Sequence, residues 1–149
     1  MINIDQNSIQ TYITTLQGMI NRFANNSSSC KSWCITVVSA ILVFMTEHKQ
    51  PSLLLITFLP ILVFAYLDAY YLSMERQVVE TYNNFIKQLQ HGTATPNDVH
   101  TIKIEGKSSK AFDNTLKSFG SYSIYPFYFL LVFCVLLLYK FVHIPAATQ

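Results

Sequence analysis

Asp68 is an acid in an apolar setting. It stands in "FLPILVFAYLDAYYLSMERQ", residues 58–77, flanked by Leu67, Ala69, Tyr70 and Tyr71. A carboxylate at mid-bilayer costs at least ~2.5 kcal/mol on an insertion scale, so such a group turns to a protein interior or to water. Glu75 follows seven residues later, two helical turns on and nearly on the same face. Together the two carboxylates can line one vestibule, and a ring of acids at a pore mouth favours cations. The other reading of Asp68 is an interfacial acid bonded to a tyrosine or a basic side chain.

Two more sets of residues could do chemistry. Ser32, Thr36, Ser39 and Thr46 recur at spacings of four, three and seven, with Val43 filling the gap in the stripe. One wet stripe on an apolar helix suits either a pore lining or close helix packing by small residues. Lys103, Lys107 and Lys110 cluster near Ser108 and Ser109, and Arg76 belongs to the same long segment. This basic set can hold a lipid headgroup, a nucleotide or an oligonucleotide. It can equally be a solvated loop.

Catalytic chemistry finds no support. The sequence has no Gly-rich phosphate loop, no G-x-S-x-G and no H-E-x-x-H. Cys30, Cys34 and Cys134 show no metal-ligand spacing and read as small buried residues. Of the four histidines, only His91 and His100 share a stretch of chain in which they can meet. No enzyme, metal or cofactor is expected.

The elements that must position these residues are apolar helices. Of 149 residues, 51% are apolar and 12% charged, against about 25% charged in soluble domains. A net charge of +2 is too small to argue nucleic-acid binding. The first 28 residues lack the charged and apolar regions of a signal peptide, so none is expected. Three stretches read as membrane spans: Ser32 to Thr46, Ser52 to Leu72, and the uncharged residues between Lys117 and Lys140. The first is short for a span, and Cys30 with a snorkelling Lys31 extends it.

Charge sets the orientation. Arg22, Lys31, Arg76, Lys87, Lys103, Lys107, Lys110 and Lys117 fall on one side of such spans, Lys49 and Lys140 on the other. Basic loops stay inside, so the expected placement is a bacterial inner membrane with the N-terminus cytoplasmic and the C-terminus periplasmic. Trp33, Tyr66, Tyr70, Tyr71, Tyr122, Tyr125 and Tyr128 fit the inner interface.

The second span has no reason to stop at the membrane. No Gly or Pro follows Leu72 until Gly92, and Val78, Tyr82, Phe85 and Leu89 form one helical face. A helix over residues 52–90 is roughly 55 Å long, against about 30 Å of hydrocarbon. Ile9, Tyr12, Ile13, Leu16, Met19, Ile20 and Phe23 form a matching stripe, with Asp5 or Asn7 as cap. That helix lacks the basic face of a membrane-surface helix, which favours packing on the projecting second helix. "NNSSSC" then reads as a linker, "HGTATPND" as turns, Ile102 and Ile104 as a short strand pattern, and "SKAFDNTLKSF" as a helix.

The expected chain is therefore all-α: an integral membrane bundle of three spans under a cytoplasmic helical layer. Residues 1–29 form the amphipathic helix and linker, 30–72 two spans, 73–118 the cytoplasmic extension and basic loop, and 119–149 the third span and outer tail. One three-span protomer cannot enclose a water path, so conduction implies a homo-oligomer.

"YLDAYYLSMERQ" and the later "SYSIYPFYFLLVF" carry a resemblance. The pattern is aromatic-L-D-A-Y-Y-L-x-x-E-R after an apolar run, then an exposed helix, then S-x-x-I-x-x-F-Y opening the last span. Leu67, Asp68, Ala69, Tyr70, Tyr71, Leu72, Glu75, Arg76, Ile124, Phe127 and Tyr128 match it. This resembles small bacterial anti-phage membrane effectors, the channel subunits of the Hailong system among them, over about a quarter of the chain. The resemblance implies an oligomeric channel that depolarises the membrane in abortive infection. It implies gating by an oligodeoxynucleotide that a partner nucleotidyltransferase makes. A membrane accessory of an RNA-targeting CRISPR system is a weaker likeness, because neither Arg22 nor Arg76 has a histidine at the R-x(4–6)-H offset of the associated ribonucleases. The contrasting expectation is a non-conducting adaptor that docks a soluble partner through its cytoplasmic helices.

Overall fold

The computed structural model describes residues 5–48, 53–102 and 108–143, and of these the side chains of all but 53, 108–112 and 141–143. Every regular element among them is helical: α1 Gln6–His48, α2 Leu53–Gln90, α3 Pro96–His100, α4 Ser108–Phe119 and α5 Tyr125–His143.

Helix α1 begins at Asp5, whose carbonyl accepts the first helical bond from Ile9 N–H at 3.2 Å. It then runs for 43 residues, about 64 Å. The expected linker at residues 25–30 is helix. Asn and Ser lower helix propensity by only a few tenths of a kcal/mol each, which packing easily overrides. Here Ser27 and Cys30 are buried against the neighbouring elements, which holds the stretch helical.

Helix α2 returns antiparallel for 38 residues, about 57 Å. It ends in a glycine cap. Gly92 has φ 65°, Gly92 N–H donates to Leu89 O at 3.2 Å, and Thr93 N–H donates to Gln88 O at 3.0 Å. These two bonds satisfy carbonyls that the last turn leaves open, and only glycine adopts that φ without steric cost. The turn-rich stretch then holds a short helix. Pro96 fixes its first φ, and Asp98 Oδ2 accepts from Thr95 N–H at 3.0 Å and Thr95 Oγ at 2.6 Å. The predicted strand pattern falls mostly on residues outside those described; Ile102 is irregular and exposed.

Two apolar clusters sit at opposite ends of the α1/α2 hairpin. At one end Tyr12 and Leu16 of α1 pack on Val78 and Phe85 of α2, with Tyr12 and Phe85 edge-to-face at 4.7 Å. The N-terminal stripe therefore covers the projecting part of α2. At the other end Cys34 and Val38 meet Ile61, Ala65 and Ala69, and Ile124, Tyr128 and Val135 close the cluster from α5. Helix α4 packs on α2 with Thr115 and Ser118 buried. The turn into α5 is tied back to α2 by Arg76, which donates to Ser121 Oγ at 2.8 Å.

The outer surface divides the same way. Among the described residues, the exposed large apolar side chains fall between residues 33 and 70 and between 122 and 138, with Ile102 and Leu116 the exceptions. Leu55 is 77% exposed, Leu62 68% and Trp33 62%. Helices α1 and α2 are each long and apolar enough to cross a membrane. The apolar part of α5, Tyr125–Lys140, is shorter.

Candidate functional site

Between the two clusters lies one polar layer. Asp68 has no solvent exposure. Ser27 and Lys31 stand one turn apart on α1, so both side chains reach the same point on α2. Ser27 Oγ donates to Asp68 Oδ1. The Lys31 ammonium lies 2.6 Å from Asp68 Oδ2, as an ion pair, and donates to Ser27 Oγ at 3.3 Å. Lys31 keeps 20% of its side chain exposed, so its stem is sheathed while its head still touches solvent.

The layer has a third wall. Tyr128 of α5 brings its hydroxyl close enough to interact with the Asp68 carboxylate, and Cys30 and Cys34 adjoin it. That hydroxyl is buried and makes no hydrogen bond of good geometry. The site thus joins all three long helices through one carboxylate, one ammonium, a serine hydroxyl and a phenol. A carboxylate removed from water needs a counter-charge and hydrogen-bond donors, and Lys31 with Ser27 supplies both.

The other predicted residues lie elsewhere. Glu75 is half-buried two turns along α2, outside this layer. Thr36, Ser39 and Thr46 are exposed on the outward face of α1, away from the seam that holds Asp68. Thr36 Oγ donates to Ser32 O at 3.0 Å and Thr46 Oγ to Val43 O at 2.7 Å. Within one protomer the stripe and Asp68 do not meet. Arg76 is engaged with Ser121. Lys103 and Lys107, and the side chain of Lys110, lie outside the described residues. Of the cysteines, Cys30 and Cys34 are buried at the seam, whereas Cys134 is exposed on α5. Among the described residues no group of His, Cys, Asp and Glu could hold a metal ion.

Sequence reasoning missed Ser27 and Lys31 as partners of Asp68. The signal was present: a serine and a lysine four apart, on a helix antiparallel to the one that carries the acid. It becomes visible only once residues 25–30 are read as helix.

No protein-family model, characterised protein or solved structure matches the chain.

Proposed function

We propose that the protein is an inner-membrane effector that self-associates into a gated ion channel, with its N-terminus cytoplasmic and its C-terminus periplasmic. The ion pair between Lys31 and Asp68 carries this reading. It lies where the hairpin changes from an apolar exterior to a polar one, and it directly precedes the outward hydroxyl stripe that starts at Ser32. The exposed apolar belt supports membrane embedding, since soluble monomers rarely expose apolar patches of this extent. Helix α5, 19 residues or about 28 Å, serves as the third span.

In the closed state the carboxylate is neutralised inside each protomer. Several α1 stripes facing one axis give a hydroxyl-lined path, because Thr36, Ser39 and Thr46 already point away from the protomer core. A shift of α1 against α2 separates Lys31 from Asp68 and turns the acid to water at the inner mouth, which favours cations. The cytoplasmic ends of the two helices are the levers. A nucleotide or oligonucleotide on Lys103, Lys107, Lys110 and Arg76 would bias them, and depolarisation in anti-phage defence is the role the resemblance implies.

The test is conductance of the purified protein in planar bilayers, beside Asp68→Asn and Lys31→Met. Currents whose cation preference falls in Asp68→Asn support the reading. Silence of all three proteins across applied voltages would sink it. The exposed, uncharged row of Gln10, Thr14, Gln17 and Asn21 favours the adaptor as second reading. An adaptor leaves membrane potential intact when overproduced, with or without Asp68→Asn.

A further inference from the structure

Helix α1 presents one outward face along most of its length. Gln10, Thr14, Gln17 and Asn21 recur at spacings of four, three and four, and Asn25 and Ser28 carry the row on to Ser32. There the hydroxyl stripe begins. A helix repeats every 3.6 residues, so these positions stay on one side of an unbroken rod. All of them are exposed and none is charged. We infer that the cytoplasmic part of this face is an interface with α1 of a second copy of the chain, with Gly18 at the point of close approach. The inference rests on the self-association in the channel reading.

Gly18 marks a partner outside the protomer. It is exposed inside α1, on the side that holds Thr14 and Asn21 one turn away in each direction. Glycine weakens a helix interior relative to alanine, so it helps only where a turn, a positive φ or a close neighbour requires it. The protomer requires nothing of the kind here. The backbone at Gly18 is helical, and a Cβ placed on it meets no atom within 4 Å. A missing side chain lets a second helix backbone come close, as small residues do in packed helix pairs.

Charge and extent select a second copy as the occupant. Amides and hydroxyls both donate and accept, so a face built from them is complementary to itself. Arg22, the cation beside this row, leans over the Phe23 ring at 5.4 Å, off the row. A strongly charged partner finds no counter-charge along it. The row from Gln10 to Asn25 is roughly 22 Å long, so with a contact strip of about 10 Å it offers on the order of 200 Å². A stable interface needs about 800 Å² per partner. The same face continues beyond Ser32 into the apolar belt. A soluble partner cannot follow it there; another α1 can.

The test is oxidative cross-linking of the full chain in isolated membranes, in a Cys134→Ser background where Cys30 and Cys34 are buried. Asn21→Cys should give oxidant-dependent homodimers, since bridged cysteines need Cα atoms within about 7 Å. Adding Gly18→Leu should abolish that band. Leucine favours helix over glycine, and a Cβ at this position meets nothing in the protomer, so helical circular dichroism should hold. Asn83→Cys, exposed on α2, is the control and should stay monomeric. Four results overturn the inference: no homodimer at position 21, a homodimer that survives Gly18→Leu, equal cross-linking at position 83, or a cross-link from position 21 to a different protein in place of the homodimer. Bilayer currents without the position-21 homodimer would sink this interface and leave the channel reading standing. A Gly18-dependent homodimer without currents would do the reverse.

Discussion

Lys31 reaches across from α1 and sets its ammonium 2.6 Å from the carboxylate of Asp68, a side chain with no solvent exposure. The pair is the only polar link of this kind among the described residues that crosses the α1/α2 seam as an ion pair. Breaking one side of a buried pair typically costs about 3–5 kcal/mol, because the remaining charge stays buried without a partner. Lys31→Met should therefore lower the thermal midpoint in detergent sharply. Replacing both groups, Lys31→Met with Asp68→Leu, should recover most of the loss. A double variant no more stable than Lys31→Met would mean that the carboxylate does not depend on Lys31.

Much of this arrangement was legible in residue spacing. The extent of α2, the face of Val78, Tyr82, Phe85 and Leu89, and the covering stripe from Ile9 to Phe23 all follow from helical periodicity. Asp68 stood out because an acid in an apolar run is costly. What it pairs with was not legible, because that depends on whether residues 25–30 bend. Local propensity favours a break there, and tertiary packing of Ser27 and Cys30 prevails. Counting equal distances from the hairpin turn lands within a turn of Lys31, but only on two unbroken rods. The short helix at Pro96–His100 was masked in the same way, by residues that also favour turns.

Tyr12 links stability to pH at the other end of the hairpin. Its ring packs on Phe85 and its hydroxyl donates to Thr101 O at 3.4 Å. Burial raises its folded-state pKa above the ordinary tyrosine value, with the Asp98 carboxylate adding to the effect. The unfolded chain thus loses this proton first. Its contribution is complete below pH about 10 and falls away as pH rises through the folded value. Denaturant midpoints measured upward from neutral pH should show the decline, and Tyr12→Phe should flatten it. A variant with the same alkaline slope would assign the decline to other groups.

Cys134 separates lipid from water. It is exposed on α5, whereas Cys30 and Cys34 are buried. If the apolar belt lies in a bilayer, a charged, membrane-impermeant maleimide should leave Cys134 unlabelled in intact membranes. Detergent solubilisation should then make it reactive, since thiolate chemistry needs access to water. Labelling of Cys134 in membranes at the rate of a free thiol would place that face of α5 in water and remove the third span.

Ser39 tests the assembly directly. It lies at the middle of the exposed hydroxyl stripe, while Val38 beside it is 1% exposed within the protomer. If α1 stripes from several copies face one axis, cysteines at position 39 come close to one another. Two cysteines bridge only when their Cα atoms lie within about 7 Å. In a Cys134→Ser background, Ser39→Cys should give oxidant-dependent dimers in membranes, and Val38→Cys should not. Leu62→Cys, on the exposed apolar face of α2, is the second control. Cross-linking at position 62 and none at 39 would show that the copies meet through α2, which would move the hydroxyl stripe from the pore axis to the lipid.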